Sequence, residues 1–410
     1  MFYEEELKHL YPKDWPLVKL NELAYFEKGK GIAKKDITSK GKKAIIYGDI
    51  YTKHHFYIKN VSTYIDSKTA SKSKLVKTNN VLLTGSGETA EEIGKAVAYL
   101  DEEELYAGGD IIIIKLKHNL NSLFLSYLLN FGNLRKRLSQ LGQGNSVVHI
   151  YSSMLEDLSI PLPSIEEQNN ITKVLLTWDK AIELKQQLID LKKEQKIGLM
   201  QKLLTGEVRL PGFNEEWKVM KLEKLCSKMK SGGTPKSTNP KFYGGEIPFV
   251  KVNDITRQGK ILKDAETTIT EQGLINSSAW LVPANSILYS MYASIGFVSI
   301  NKMPVTTNQA IMSMIPNDDV NIDFLYYQLV KYKTKVNSII ETGTQGNLNA
   351  KLVKSFSIHL PQYEEQLAIA TILNAAESHI ELLENELDAL KEQKKGLMQQ
   401  LLTGKTRVKV

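Results

Sequence analysis

The sequence contains very little cysteine and no long apolar run, and both absences exclude classes of protein. Cys226 is the only cysteine in 410 residues, so the chain can form neither an internal disulfide nor a zinc site of several thiolates. The longest aliphatic run, residues 111–114, is far shorter than the roughly 20 residues of a membrane-spanning helix. The first residues, MFYEEELKHL, lack the basic and apolar segments of a signal peptide. We therefore expect a soluble, cytoplasmic protein with no membrane partner.

Motifs for catalysis and metal binding are also missing. There is no GxxxxGK[ST] phosphate loop, because Thr89 stands where its first glycine would be, before Gly94-Lys95. The seven histidines show no metal-ligand spacing. Residues 194–196 (EQK) spell a nuclease ExK, but they lie in a helical stretch without a partner acid. The sequence therefore predicts a binding protein with no catalytic residue, no metal site and no cofactor of its own.

The composition supports large cores and allows a polyanionic partner. Hydrophobic residues make up 42% of the chain, which is ample for more than one domain of ordinary size. The formal net charge is +7, from 53 basic and 46 acidic residues. A moderate excess of this kind is compatible with nucleic acid without requiring it.

A repeated peptide divides the chain into two halves. EQKIGLMQKLLTG at residues 194–206 returns as EQKKGLMQQLLTG at residues 392–404, with eleven of thirteen positions identical and an offset of 198. The repeat continues upstream, where Trp15 matches Trp217 at an offset of 202. Such a repeat predicts two copies of one structural unit. The tails match almost residue for residue while the regions before them have diverged, which indicates a shared scaffold carrying two different modules.

The repeated tails have the pattern of long helices that pair with each other. No proline occurs from residue 164 to residue 204, Ser164 can cap a helix start, and Thr205-Gly206 can end it. Steps of four and three place apolar side chains on one seam, which is typical of a coiled coil. The predicted seam residues are Ile171, Leu175, Trp178, Ile182, Ile189, Leu199 and Leu203 in the first tail and Ile369, Leu373, Ile380, Leu383, Leu387, Leu390, Leu397 and Leu401 in the second.

Four lysines also fall on the predicted seam. Lys185, Lys192 and Lys196 lie in the first tail and Lys394 in the second. The three lysines of the first tail would be more easily tolerated if the helices were loosely packed there, or if the long side chains extended towards solvent.

The regions before the tails are of ordinary domain size and mix strand and helix patterns. We assign residues 1–163 and 207–361 to two α+β domains with mixed sheets, residues 164–206 to a first helix, and residues 362–410 to a second helix and its tail. The fold class is therefore α+β, with two mixed α/β domains, two long helices in an antiparallel coiled coil, and a pseudo-twofold internal repeat.

A lysine-rich stretch in the first domain is a candidate for contact with phosphate. KGKGIAKKDITSKGKK, residues 28–43, holds seven lysines and one aspartate among glycines. Dense positive charge on flexible backbone suits a nucleic-acid backbone, although a solvated loop would show the same composition. The predicted contacts are Lys28, Lys30, Lys34, Lys35, Lys42 and Lys43.

The second domain has a glycine-rich stretch at the matching place. SGGTPKSTNPK, residues 231–241, aligns Gly233 with Gly31, and paired glycines let backbone amides approach an anion. The predicted contacts are Ser231, Gly232, Gly233, Thr234 and Lys236. The aromatic residues that follow, Phe242, Tyr243 and Phe249, are more typical of core than of base contacts.

Two polar loops precede the last strand of each domain. Gln143 and Asn145 match Gln345 and Asn347 at an offset of 202. Asparagine and glutamine can form paired hydrogen bonds with adenine, so these four residues are candidates for base contacts, although plain turns need no such function.

Together these features resemble the specificity subunit of type I restriction–modification systems. The resemblance rests on SGGTP at residues 231–235, FYGG at 242–245, IPFV at 247–250, LP and EEQ at 360–366, and the two GLMQ-x-LLTG ends. It covers essentially the whole chain. The first half departs from the family pattern, because the lysine-rich stretch replaces the Gly-Thr-Pro loop.

The resemblance implies a DNA-reading scaffold without catalysis of its own. Each domain would be a target recognition domain for one half of a bipartite double-stranded DNA sequence, and the helices would be a spacer and a dock for two methyltransferase subunits. S-adenosylmethionine, ATP and magnesium would be bound by those partners and by restriction subunits.

Two other functions remain open from the sequence. A degenerate DNA amino-methyltransferase is one, because residues 239–242 (NPKF) resemble an Asn-Pro-Pro-Phe motif that Lys241 interrupts. A coiled-coil assembly protein without nucleic acid is the other.

Overall fold

The computed structural model describes residues 9–117, 119–144, 147–341 and 348–408. The chain divides into two compact units, Met1–Lys185 with Glu386–Val410, and Gln186–Asn385. Two long helices, Ile165–Leu203 and Tyr363–Leu402, each contribute one half to each unit. We call the part before the first long helix the first body and the part between the long helices the second body. Within the described ranges, every helix is too short or too polar to cross a bilayer.

Antiparallel strands dominate the first body. Its main sheet has four strands, in the order Ala24–Lys28, Ile111–Leu116, Asn80–Thr84 and Ala96–Ala98. A five-stranded sheet has the order Ile37–Thr38, Thr63–Ile65, Lys42–Ile45, Leu105–Ala107 and Lys74–Val76, in which the third and fourth strands are parallel. The first body also has two two-stranded sheets. One pairs Leu17–Lys19 with Ser159–Pro161, and the other pairs Ser86–Gly87 with Val148–His149.

The helices of the first body are short. Ser122–Leu129 is buried along its whole length and packs on the main sheet, because six of its eight residues are apolar or aromatic and the other two are small serines. Asn121 caps this helix by accepting a hydrogen bond from the Phe124 amide at 2.9 Å. The other helices are Leu20–Leu23, Tyr47–Lys53, Ser67–Ala70, Gly132–Leu141 and Ser152–Glu156, with a 3₁₀ turn at Lys34–Asp36.

The main sheet of the second body has the same strand order as the main sheet of the first, with one further strand at its edge. Its main sheet runs Cys226–Ser231, Ile311–Pro316, Ile287–Ser290, Val298–Asn301 and Ile261–Leu262. A second sheet runs Thr267–Ile269, Tyr243–Val250 and Thr306–Thr307, and Lys218–Lys221 pairs with Ser357–Leu360. Its helices are Val252–Gln258, Glu271–Ile275, Ile322–Glu341 and Ala350–Lys354, with 3₁₀ turns at Leu222–Leu225 and Pro240–Phe242.

The long helices bury their seam residues in part within the cores of the bodies. In the first unit, Ile171 and Leu175 of the first helix and Leu401 of the second join the main core of the first body. In the second unit, Leu203 joins Ile369 and Leu373 in the core of the second body. Every predicted seam residue is at least half-buried: Ile171, Leu175, Ile189, Leu203, Ile369, Leu373, Ile380, Leu383, Leu387 and Leu401 are buried, and Trp178, Ile182, Leu199, Leu390 and Leu397 are half-buried.

Ion pairs show that the long helices run antiparallel within each unit. In the first unit, Lys394 binds Asp179 at 2.5 Å and Lys185 binds Glu386 at 2.7 Å. In the second unit, Lys196 binds Glu377. Three of the four seam lysines are therefore held by carboxylates of the facing helix. The expectation of loose packing, or of side chains that extend towards solvent, is wrong for Lys185 and Lys196 of the first tail.

The fold class predicted from the sequence is confirmed. Two mixed α/β bodies share one strand order, and two long antiparallel helices carry an internal repeat. The seam of apolar residues at steps of four and three makes this pairing favourable, because burying the apolar face of each helix against the other removes it from water.

Candidate nucleic-acid interface

A buried carboxylate fixes the start of the first long helix. Glu167 lies one turn after the Ser164 hydroxyl, which accepts a hydrogen bond from the Glu167 amide at 3.3 Å. Its carboxylate accepts a hydrogen bond from Trp15 Nε1 at 3.1 Å and two from the Arg407 guanidinium, at 2.6 and 2.7 Å. Hydrogen bonds to Glu167, and then to Asp14, raise the pKa of Arg407. The residues after the second helix therefore hold the start of the first.

The second unit contains the same arrangement in reverse. Glu365, at the start of the second long helix, accepts a hydrogen bond from Trp217 Nε1 at 3.0 Å. Arg209, which follows the first long helix, donates two hydrogen bonds to it, at 2.8 and 2.9 Å. We call these two arrangements the helix clamps. Each clamp joins the end of one long helix to the start of the other.

A glutamine beside each clamp also repeats. Gln168 accepts a hydrogen bond from the Asn121 amide at 2.8 Å, and Gln366 accepts one from the Asn321 amide at 2.8 Å. Each glutamine also donates to two backbone carbonyls, so its amide is fully used inside its unit. The frame that carries the bodies is therefore built twice from the same contacts.

The lysine-rich stretch of the first body is more ordered than the sequence suggests, and three of its lysines are paired with acidic residues. Lys28 ends a strand, and Lys42 and Lys43 begin another. Lys28 pairs with Asp110 at 3.8 Å, Lys42 with Glu104 at 3.0 Å and Lys43 with Glu103 at 2.5 Å. The hydrogen bond to Glu103 raises the pKa of Lys43, and that to Glu104 raises the pKa of Lys42.

Contact of Lys28, Lys42 and Lys43 with DNA stays a prediction. Acidic residues that follow much later in the sequence pair with these lysines and reduce the positive potential that they offer to a phosphate. Lys30, Lys34 and Lys35 are exposed, and none of the three pairs with a carboxylate among the described residues. A Cβ on Gly31 would lie 3.1 Å from the Lys72 carbonyl, so the turn brings a further exposed lysine beside them.

The paired glycines of the second body serve packing rather than anion binding. The Gly232 amide donates to the Ile311 carbonyl at 3.2 Å, and the Gly233 amide donates to the Thr307 carbonyl at 2.9 Å. A Cβ on Gly232 would lie 1.9 Å from the Thr307 carbonyl oxygen, and one on Gly233 would lie 2.1 Å from Ser278 Oγ. Both glycines are buried, so the prediction that their amides face an anion is wrong.

The structure also shifts the alignment of the two stretches by one residue. The Gly29 amide donates to the Ile111 carbonyl, and the Lys30 amide donates to the Ala107 carbonyl. The matching hydrogen bonds of the second body are those of Gly232 and Gly233 to the Ile311 and Thr307 carbonyls. Gly233 therefore corresponds to Lys30 and not to Gly31. A Cβ on Gly29 would lie 2.0 Å from the Gly108 carbonyl oxygen, so glycine is required there for the same reason as at position 232.

The rest of the second stretch is partly engaged inside the second body. Ser231 is half-buried at a strand end, and the Thr234 hydroxyl donates to Gln309 at 2.5 Å. Lys236 is exposed. Tyr243 packs edge to face on buried Phe249, which agrees with the interpretation of these aromatic residues as core.

A β-bridge places Gln143 beside His149, which shares a small cavity with Lys28, the first residue of the lysine-rich stretch. Gln143 is exposed, and its backbone exchanges two hydrogen bonds with His149, at 2.9 and 2.8 Å. His149 and Lys28 line one small cavity of about 90 Å3, together with Asp110 and the exposed Tyr151. Two regions singled out in the sequence therefore meet at one place. The other predicted base contacts, Asn145, Gln345 and Asn347, lie outside the described residues.

Residues 239–242 have a structural explanation. The Asn239 side chain caps the turn Pro240–Phe242 by accepting a hydrogen bond from the Lys241 amide at 3.2 Å. Burial raises the pKa of the Cys226 thiol to about 12, which leaves it protonated and unreactive. Across the described parts of the chain, no group of three or more His, Cys, Asp or Glu residues could hold a metal ion.

Sequence reasoning missed the two clamp arginines, although a signal for them was present. Arg209 and Arg407 lie 198 residues apart, the same offset that relates Glu167 to Glu365 and the two terminal peptides. The ion pairs of Lys42 and Lys43 had no comparable signal, because Glu103 and Glu104 belong to the first half alone.

Comparison with known proteins places the chain in one family. Residues 12–193 and 214–392 match the family described as type I restriction modification DNA specificity domain. The chain is similar to the type I restriction enzyme MjaVIII specificity subunit of Methanocaldococcus jannaschii, with 24% identity over 100% of this chain and 98% of that protein. It is also similar to the putative MjaX specificity subunit of the same organism, with 29% identity over 78% of this chain and 76% of that protein.

Solved structures share the fold. The S subunit of a type I restriction–modification system from M. genitalium has a TM-score of 0.57 at 17% identity and covers 94% of this chain and 96% of its own. A chain from a structural study of complex assembly and conformational transition in the type I R-M system has a TM-score of 0.59 at 16% identity, with 96% and 98% covered. These relatives are specificity subunits, which catalyse neither methylation nor cleavage. With its family match spanning most of both halves, the chain belongs to the type I restriction-modification DNA specificity domain family.

Proposed function

We propose that this chain is the DNA-reading subunit of a type I restriction–modification complex, and that each body contacts one half of a bipartite target. One observation carries the proposal: the two helix clamps use the same residue types at nearly the same distances, whereas the exposed stretches of the two bodies differ. Two equivalent helix clamps and two different exposed surfaces suit a protein that positions two separate DNA-binding domains.

The long helices would dock two copies of one methyltransferase subunit. Two equivalent surfaces within one chain are what a pair of identical partners requires. The repeated peptide leaves matching side chains exposed on both helices, for example Gln201 on the first and Gln399 on the second. S-adenosylmethionine would then be bound by the methyltransferase subunits, and ATP and magnesium by restriction subunits when these are present.

Methylation mapping tests the proposal. The full chain is expressed with its methyltransferase partner, and methylated adenines are mapped by sequencing the host DNA. We expect one sequence with two separated parts, each carrying a methylated adenine. Replacing the second body by that of another family member should change one part and leave the other unchanged.

Two results would contradict the proposal. Methylation of a single uninterrupted sequence would exclude two separate readers. A replacement of the second body that altered both parts would show that the bodies do not read the DNA independently.

A further inference from the structure

One pocket of the first body gathers two positively charged groups that form no ion pair with a carboxylate of the described residues. It encloses about 340 Å3 beside the strand that ends at Thr84 and lies outside the predicted DNA contacts. The residues that line it are Tyr51, His55, Phe56, Glu91, Glu92, Lys95, Asn130 and Arg135. The two charged donors are Lys95 and Arg135.

Backbone carbonyls hold both charged groups in place. Lys95 Nζ donates to the Tyr51 carbonyl at 3.0 Å, and Arg135 Nη2 donates to the Glu91 and Ile93 carbonyls at 2.5 Å each. Arg135 Nη1 is buried and has no hydrogen-bond partner in the described part of the chain. Neither group forms an ion pair with a carboxylate of the described residues.

Two like charges removed from water next to each other are unfavourable without an anion. Burial lowers the pKa of Lys95, and the neighbouring Arg135 lowers it further. Burial also lowers the pKa of Arg135. Glu91 and Glu92 lie at the rim but are exposed, so solvent screens much of their attraction. A ligand with several negatively charged oxygens would satisfy both donors at once.

The second body has different side chains at the matching place. The Thr84 amide donates to the Lys95 carbonyl at 3.0 Å, and the Ser290 amide donates to the Phe297 carbonyl at 2.9 Å. Phe297 therefore occupies the position of Lys95. The ammonium group of Lys333 lies 3.4 Å from the centre of the Phe297 ring, so a cation–π contact replaces the polar pocket.

A short chain of contacts links the pocket to the hairpin that carries Gln143. The Tyr51 hydroxyl donates to the Ser86 carbonyl at 3.0 Å, and the Ser86 hydroxyl lies 3.0 Å from His149 Nδ1. The pocket and the hairpin thus lie on two sides of the short strand Ser86–Gly87. An anion in the pocket would be a fixed point beside the exposed hairpin.

We propose that the pocket formed by Tyr51, Lys95 and Arg135 binds a phosphate group, and that in the DNA complex this is a backbone phosphate next to the hairpin. The second half of this statement rests on the proposed function. The first half rests only on the pocket. Phosphate contacts fix the position of a protein on DNA, so this one would set the position of the first body.

The first test uses inorganic phosphate and the full chain. Binding is measured by calorimetry at constant ionic strength for the unsubstituted protein, Lys95→Met and Glu92→Gln. We expect Lys95→Met to weaken binding by about tenfold or more, because it removes a charge-assisted hydrogen bond. Glu92→Gln should strengthen binding several-fold because it removes a negative charge from the rim. Lys136→Met is the control, since Lys136 is exposed on the same helix as Arg135.

Unchanged phosphate binding in Lys95→Met would overturn the proposal, as would an equal loss in Lys136→Met. Lys95→Met retains the alkyl chain, and a thermal melt within a few degrees of the unsubstituted protein shows that folding is intact. Glu92→Gln keeps the test valid even if Lys95→Met unfolds, because a folded Glu92→Gln with no gain in affinity also contradicts the proposal.

The second test separates the DNA backbone from a free phosphate compound. Binding to DNA is measured for the complex with methyltransferase at several salt concentrations. If the pocket holds a backbone phosphate, Lys95→Met should reduce the slope of log K against log salt by about 0.9. An unchanged slope with weakened inorganic phosphate binding would refute the DNA half. Absence of DNA binding with phosphate binding intact would refute the proposed function and not the pocket.

Discussion

The two bodies have the same strand order but differ in what the strands carry. After the strand Asn80–Thr84 the first body places Lys95 in a polar pocket, and after Ile287–Ser290 the second places Phe297 under a lysine. The helix that packs on the main sheet also differs. In the first body this helix ends at Leu129, and a new helix begins at Gly132, whose φ of +60° is not helical. In the second body the helix Ile322–Glu341 is continuous.

The helix clamps show no such difference. Their tryptophan–glutamate distances are 3.1 and 3.0 Å, and both arginines donate two hydrogen bonds to the carboxylate. The contrast indicates that the loops and helix ends of a body are free to vary, whereas the contacts that hold a body on the long helices are not.

Breaking either clamp should have the largest effect, and the same effect in both units. Glu167→Ala and Glu365→Ala each remove a buried carboxylate, leave a tryptophan N–H without its acceptor, and remove two hydrogen bonds from an arginine. We expect each to lower the free energy of unfolding by about 4 kcal/mol. Chemical denaturation of the two variants, followed by circular dichroism, measures both losses.

Matched controls for this prediction are Glu166→Ala and Glu364→Ala. Each of these glutamates precedes a clamp glutamate and is not buried. A loss in only one of the two clamp variants would show that the halves are not held in the same way.

A smaller effect should distinguish the two units. The Tyr127 hydroxyl donates to the charged Asp179, and burial, then Asp179, raises the pKa of Tyr127. The Tyr327 hydroxyl donates to the neutral Asn374 at 2.9 Å and accepts a long, weak hydrogen bond from Lys260 at 3.4 Å. Because hydrogen bonds to charged groups are stronger, Tyr127→Phe should cost about 2 kcal/mol and Tyr327→Phe about 1 kcal/mol. Equal losses in denaturation experiments would contradict this difference.

The smallest predicted effect depends on pH and is confined to the first body. Hydrogen bonds from Lys115 and then Lys74 lower the pKa of Glu27, which lies on the strand Ala24–Lys28. Since the folded pKa lies below the ordinary 4.5, this stabilisation is complete above about pH 4.5 and is lost as the pH falls through the folded value. Lys230 occupies the matching place in the second body, as the strand registers show.

Hydrogen exchange of the two edge strands can measure this effect. Protection of Ala24–Lys28 should fall between pH 5 and about pH 3 by an amount equivalent to less than about 1 kcal/mol, and Glu27→Gln should remove that pH dependence. Glu22→Gln, an exposed change in the same body, is the control. Equal loss of protection in the strand Cys226–Ser231 would mean that Glu27 is not the cause.

Much of the frame could be predicted from the sequence because its signals are local or repeated. The helix ends are an example: Gly206 and Gly404 have φ values of +75° and +68°, and the helices end at Leu203 and Leu402 just before them. The apolar seam predicted the pairing of the helices because a four-and-three spacing has few other uses.

The candidate site was harder to predict because its contacts join residues that are distant in sequence. Nothing near Lys42 or Lys43 indicates that Glu104 and Glu103 will neutralise them. The paired glycines suggested an anion site. In the structure, neighbouring residues pack so closely on Gly232 and Gly233 that there is no room for a side chain. Composition alone could not distinguish an open surface from close packing.

The division of the chain into units has a consequence for its synthesis. The unit that contains the first body also needs residues 386–407, which supply Lys394, Leu401 and the clamp arginine. A ribosome makes these residues only after the whole second body. The first body is therefore translated first, but its unit is completed last. Until residues 386–407 have been made, the nascent chain exposes the part of the first core that they cover.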